Sequence, residues 1–60
     1  MSYETSGHLQ DIPTGTKFWY NGNQYLKKST DRVTGTISAE HLTTRRLHEL
    51  PGYQIGHYKP

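Results

Sequence analysis

The pattern of hydrophobic and polar positions is clearest in residues 16–29, where two runs rich in aromatic side chains flank the dipeptide Asn21-Gly22. Both central positions of a type I′ turn need a positive φ angle, which Asn tolerates and Gly adopts freely. We therefore predict a β-hairpin with strands at about residues 16–20 and 24–29.

Alternation along the first of these strands places aromatic side chains on both faces of the hairpin. Trp19 points to one face, and Phe18 and Tyr20 point to the other. Only one face can pack against the rest of a small domain, so we expect Trp19 or Tyr20 to be partly exposed and available to a partner.

The pattern beyond the hairpin also favours strands. Val33, Ile37 and Ala39 share one strand parity, which is typical of a half-buried strand. Residues 39–50 are compatible with a short helix or with a strand broken at two threonines, and the β context slightly favours the strand. A turn and a short final strand at residues 53–58 follow.

These elements predict an all-β fold, a barrel or β-meander of about four or five strands, with one short helix near residues 39–50 as the alternative there. Residues 1–11 have little apolar content and predict a flexible N-terminal arm, and residues 12–60 form a single small β domain. We expect seven apolar residues in the core: Phe18, Tyr25, Leu26, Val33, Ile37, Leu47 and Ile55.

Composition narrows the range of functions. The 60 residues include no cysteine, which excludes disulfides and thiolate metal sites. The longest apolar run, Phe18-Trp19-Tyr20, is too short for a membrane span, so we expect a soluble protein. All seven Lys and Arg residues lie in residues 17–60, which makes the body of the domain basic.

The candidate chemistry is sparse. Four histidines could in principle ligate zinc, but their spacing matches no known site, and His41 and His48 lie two helical turns apart if helical. No serine sits in the Gly-x-Ser-x-Gly turn typical of hydrolases. The sequence therefore predicts no catalytic residue, no metal site and no cofactor, and a protein that is not an enzyme.

Residues 12–22, with Tyr25 and Lys27, fit the pattern Pro-x-Gly-Thr-x-Phe-x-Tyr-Asn-Gly-x-x-Tyr-x-Lys. This motif resembles the opening hairpin of very small β-barrel proteins encoded by tailed bacteriophages. The resemblance implies an SH3-like barrel that serves as a virion accessory, assembly or host-takeover protein, located in the host cytoplasm or the virion. Such proteins often continue with a second regular hairpin, where this chain has residues 41–48.

Two functions from different classes fit these features. The first is a protein-interaction module that attaches to a larger protein partner, a virion component or a host protein, through exposed aromatics ringed by arginine. The alternative is a nucleic-acid-binding barrel, in which basic residues meet phosphates and aromatic rings stack on bases. The candidate binding residues for either function are Trp19, Tyr20, Lys27, Lys28, Arg45, Arg46 and Tyr53.

Overall fold

The computed structural model of the chain describes residues 5–59, and these residues form one antiparallel sheet of six strands. The strands are β1 (Thr5–His8), β2 (Lys17–Tyr20), β3 (Asn23–Asp31), β4 (Thr36–His41), β5 (Leu47–Pro51) and β6 (Ile55–Tyr58). A 3-10 turn at Leu9–Asp11 follows β1. The order of the strands in the sheet is β1-β6-β2-β3-β4-β5. The predicted all-β class is confirmed, with more strands than expected.

The hairpin predicted around Asn21-Gly22 is confirmed as β2 and β3. Asn21 has a φ of 54° and Gly22 a φ of 80°, as a turn with two left-handed central residues requires. Phe18 lies opposite Tyr25 in the paired strands, and their rings stack with centroids 5.6 Å apart. The Asn21-Gly22 turn thus fixes the register of β2 and β3, and this register places Phe18 against Tyr25 in the core.

The segment at residues 39–50 is a second hairpin, so the helical alternative was wrong. β4 ends at His41 and β5 begins at Leu47. The backbone N–H groups of Thr43 and Thr44 both donate to Nδ1 of His41, at 3.2 Å each. The His41 side chain therefore stabilises a turn at this point, and the chain does not continue as a helix.

The short link between β5 and β6 requires a curled sheet. β5 and β6 are four strand spacings apart in the sheet order, which is about 19 Å in a flat sheet. The link consists of residues 52–54, and the chain from Pro51 to Ile55 reaches at most about 14 Å when fully extended. The sheet must therefore bend around the core, which brings the two ends of the strand order towards each other.

The predicted flexible arm is largely part of the fold. Residues 1–4 of that arm lie outside the described residues, but β1 pairs with β6 along its whole length, with Thr5 opposite Tyr58. The N–H groups of Leu9 and Gln10 donate to the carbonyls of Gln54 and Gly52. Residues 5–8 are thus paired with β6, and Leu9 and Gln10 are bonded to the link between β5 and β6, where we expected a mobile segment.

The core forms between the concave side of the sheet and the 3-10 turn. Its buried residues are Leu9, Ile12, Phe18, Tyr25, Ile37, Ala39 and Leu50. The sequence prediction was right for Phe18, Tyr25 and Ile37.

The other predicted core positions were wrong to different degrees. Leu26 is only half-buried, because it alternates with buried Tyr25 and points to the convex side of the sheet. Leu47 is 67% exposed and Ile55 is 47% exposed, for the same reason of strand parity. Val33 is 95% exposed because it lies in the turn between β3 and β4, where its N–H donates to Oδ1 of Asp31.

Candidate functional site

Trp19, the single tryptophan of the chain, lies on the convex face of the sheet. Its side chain is on a central strand, β2, with His57 of β6 on one side and Gln24 of β3 on the other. It is 39% exposed. Because β2 is not an edge strand, the indole is presented on a rigid part of the fold and not on a loop.

A row of cross-strand neighbours lies beside Trp19 on the same face. Lys17 is opposite Leu26, Leu26 is opposite Glu40, and Glu40 is opposite Leu47. Leu26 is diagonal to Trp19, within reach of a large side chain on the same face. We name the group Trp19, Leu26, Glu40 and Leu47 the outer surface.

Glu40 organises the charge of the outer surface. Its two carboxylate oxygens lie 3.6 Å from Nζ of Lys28 and 3.2 Å from Nε of Arg45. The Glu40 side chain is mostly buried by these neighbours, whereas the two basic side chains remain largely exposed. The predicted binding residues Lys28 and Arg45 therefore do lie near the apolar part of the surface, but each shares one carboxylate.

Tyr20 does not join Trp19. The two side chains alternate across β2, so Tyr20 faces the concave side, where its ring centroid lies 6.5 Å from that of Tyr25. Tyr20 packs against the core and is half-buried. The expectation that one partner meets both aromatics across a single surface is not supported by this placement.

Lys27 was proposed as a surface residue, and its position corrects this. It is 1% exposed, because it shares the concave face of β3 with Tyr25. Its Nζ donates to the carbonyls of Leu9, Gln10 and Ile12 at 2.9, 3.0 and 2.6 Å. The ammonium group is occupied inside the fold and cannot contact a partner.

The pKa of Lys27 is lowered from 10.5. Burial is the largest cause, because it penalises the charged form, and repulsion from Arg32 acts in the same direction. Asp11 opposes both by attraction.

The remaining two predicted residues lie apart from the outer surface. Arg46 is exposed and sits across from His41, whose N–H donates to the Arg46 carbonyl at 2.8 Å. Tyr53 is 68% exposed in the link between β5 and β6. Neither residue has a cross-strand neighbour in the row beside Trp19.

The arrangement offers little for metal chemistry. Residues 5–59 contain no group of three or more metal-ligating side chains. The hairpin brings the rings of His41 and His48 to a centroid distance of 5.6 Å, which the sequence spacing did not predict. Since Nδ1 of His41 accepts two N–H bonds, a neutral imidazole carries its proton on Nε2, and neither nitrogen has a free lone pair for a metal.

Sequence reasoning missed Leu26, Glu40 and Leu47 as parts of the surface. Strand parity with Trp19 is the signal that could have found the first of them, because Trp19 and Leu26 lie on the same face of one hairpin. The described surface holds no cavity, and none of its helical segments has the length and apolar character to cross a bilayer. The chain matches no protein-family model, no curated protein and no solved structure.

Proposed function

We propose that this protein is a small non-enzymatic module that attaches to a larger protein through the outer surface. The observation that carries the proposal is the partly exposed Trp19 on a central strand, with the exposed Leu47 on the same face. Tryptophan at the centre of a contact, with arginine at its edge, is the arrangement that concentrates binding energy in protein interfaces. The partner we expect presents an apolar side chain to Trp19 and groups of both charges to the paired Glu40, Lys28 and Arg45.

The charge distribution favours a protein over a nucleic acid. A nucleic-acid groove needs cations free to neutralise phosphates. Of the basic residues proposed for that role, Lys27 is buried, and Lys28 and Arg45 share Glu40. The nucleic-acid alternative keeps the exposed cations outside this ion-pair group, which are spread over separate strands and turns and are a weaker basis than the sequence suggested: Lys17, Arg32, Arg46 and Lys59.

The resemblance of the β2–β3 hairpin motif to phage barrels supports a finer proposal. In it, the larger protein is a virion component or a host protein, and the module acts as an accessory, assembly or host-takeover factor. The motif specifies the shape of a hairpin, so this finer proposal needs its own test by identifying the partner.

The test uses a photo-crosslinking amino acid placed at one of two exposed apolar positions in the full chain. Leu47 lies in the outer surface, and Val33 lies in the β3–β4 turn and serves as the matched control. We expect a discrete protein adduct from position 47 in the cells that express the protein, and none from position 33. Combining the position-47 crosslinker with Trp19→Ala should abolish the adduct while circular dichroism stays unchanged.

Two results would count against the proposal. Equal adducts from positions 33 and 47, or an adduct that survives Trp19→Ala, would show that the outer surface is not the contact. An adduct removed by nuclease would favour the nucleic-acid alternative, whose affinity should also fall steeply with salt. For a protein partner, Arg45→Ala should slow association chiefly at low salt, because edge charges mainly steer encounter.

A further inference from the structure

A second cluster of polar side chains lies on the concave side of the sheet, at the turn between β4 and β5. It consists of the rings of Tyr25, His41 and His48 and of Arg46, which the hairpin register places on the same face, and we name it the histidine corner. Both imidazoles meet the Tyr25 ring nearly edge-on, at centroid distances of 5.1 and 5.8 Å and angles of 81° and 79°. Both histidines are half-exposed, so solvent reaches the corner.

The protonation pattern of His41 makes it a donor. Two backbone N–H groups from the turn point at Nδ1, which must therefore accept. The remaining nitrogen, Nε2, carries the proton and can only donate. The turn thus fixes the tautomer of the neutral imidazole, with its N–H group at Nε2.

Arg46 adds a permanent cation to this corner. It sits across from His41 in the hairpin, and by strand alternation it lies on the same side of the chain as His48. It forms no ion pair with any acidic residue in the part of the chain that the structure describes.

Carboxylates that could neutralise the corner are directed elsewhere. Glu40 and Glu49 alternate to the convex face, where Glu40 holds Lys28 and Arg45, and Glu49 accepts a bond from Thr36. The histidine corner therefore combines the N–H donor of His41 with a cation, and no acidic side chain of β4 or β5 shares its face.

We propose that the histidine corner binds an oxyanion, a phosphate or carboxylate group, with Arg46 and the Nε2–H of His41 as its donors and His48 beside them. Arginine and imidazolium or imidazole N–H groups form the strongest hydrogen bonds with such oxygens. Because the described residues form no cavity, the oxyanion must be presented at the protein surface by the molecule that carries it. This site is separate from the outer surface and does not rest on the proposed function.

The experiment titrates the full chain with inorganic phosphate and, separately, with acetate, at constant pH and constant ionic strength. Imidazole nitrogen shifts and backbone amide shifts are followed by NMR. We expect saturable shifts at His41, His48 and the Thr43 and Thr44 amides, which should be about 90% complete at about 10 mM for a weak site with a Kd of about 1 mM. Saturation by phosphate alone assigns a phosphoryl group, and saturation by acetate alone assigns a carboxylate.

One matched pair of arginine variants and one histidine variant keep the test specific. Arg46→Gln should weaken binding about tenfold or more, whereas Arg45→Gln, the neighbouring arginine held by Glu40, should leave it unchanged. His41→Asn keeps an acceptor for the turn N–H groups but removes the Nε2–H donor, so the turn should persist and binding should fall. Equal weakening by the two arginine variants, or no saturable shift with either anion, would overturn the proposal.

Discussion

The ammonium nitrogen of Lys27 lies 2.6 Å from the carbonyl oxygen of Ile12, a residue that precedes it by fifteen positions and belongs to a different segment. The same nitrogen also reaches the carbonyls of Leu9 and Gln10. One side chain of β3 thus ends the 3-10 turn and fixes the segment after β1 beneath the sheet.

We expect Lys27→Met to destabilise the fold although methionine has a similar length. Leu9 would keep the bond that its carbonyl accepts from Ile12, but the carbonyls of Gln10 and Ile12 would lose their Lys27 donor. A buried carbonyl without a donor costs about 1–3 kcal/mol. Urea denaturation should show this loss for Lys27→Met and little change for Lys28→Met, since an exposed ion pair contributes little. Equal stability of the two variants would contradict the assigned role.

The stability contributed by Lys27 should depend on pH in a defined direction. Its folded-state pKa is lowered, chiefly by burial, from 10.5. Between the lowered pKa of the folded state and the pKa of about 10.5 in the unfolded chain, the unfolded chain holds a proton on Lys27 that the folded chain has released. The free energy of unfolding therefore rises with pH in that window. The stability difference between wild type and Lys27→Met should therefore widen from neutral pH towards about pH 10. A narrowing difference would mean that the three carbonyls favour the charged form more than burial penalises it.

Phe18 and Val33 provide a direct test of the core. Phe18 is fully buried, and Phe18→Ala should cost about 3–5 kcal/mol, which approaches the whole stability of so small a domain. Val33→Ala removes an exposed side chain and should change stability by less than about 0.5 kcal/mol. Thermal melting of both variants would decide between this core and the one that the sequence predicted, in which both residues are buried.

The turn at Asn21-Gly22 should tolerate glycine but not a β-branched residue. The Gly22 backbone has a φ of 80° and open space around it, so a side chain there meets conformational strain without a clash. Gly22→Val should cost about 1–3 kcal/mol, whereas Asn21→Gly should be nearly neutral. A wild-type melting temperature for Gly22→Val would refute the turn assignment.

Gly56 and Gly7 differ in the space that surrounds them, although both are strand glycines. A Cβ at Gly56 would lie 2.5 Å from Cδ2 of Leu9 and 3.2 Å from the Trp19 carbonyl oxygen, whereas one at Gly7 would meet Tyr58 at an ordinary 3.7 Å. Gly56→Ala should therefore cost about 1–3 kcal/mol through overpacking, and Gly7→Ala should be tolerated. Denaturation midpoints of the two variants provide the comparison, and equal midpoints would show that β6 can shift to make room.

The sequence predicted elements that depend on local chemistry. The Asn21-Gly22 turn was found because two adjacent residues determine it. Residues 39–50 stayed ambiguous because the deciding interaction, His41 with the turn N–H groups, needs the turn to be formed first.

The less predictable features depend on contacts across the sheet. Leu9 and Ile12 are buried by the bending of the sheet, which no local sequence pattern encodes. Lys27 can be buried because three carbonyls from another segment accept hydrogen bonds from its ammonium group. For the candidate site, strand parity separated Trp19 from Phe18 and Tyr20. Only the strand order and register showed that Leu47 lies on the same face as Trp19.

The pairing of β1 with β6 has a consequence for how the chain folds. β2 to β5 form successive hairpins whose contacts are close in sequence, and they can assemble early. β6 must then insert between β1 and β2, joining segments from opposite ends of the chain at the full entropic cost of closing that loop. Until β6 is in place, β1 has no strand partner and the outer edge of β2 is unpaired. Because an unpaired strand edge can pair with another chain, the early meander depends on β6 for protection from aggregation.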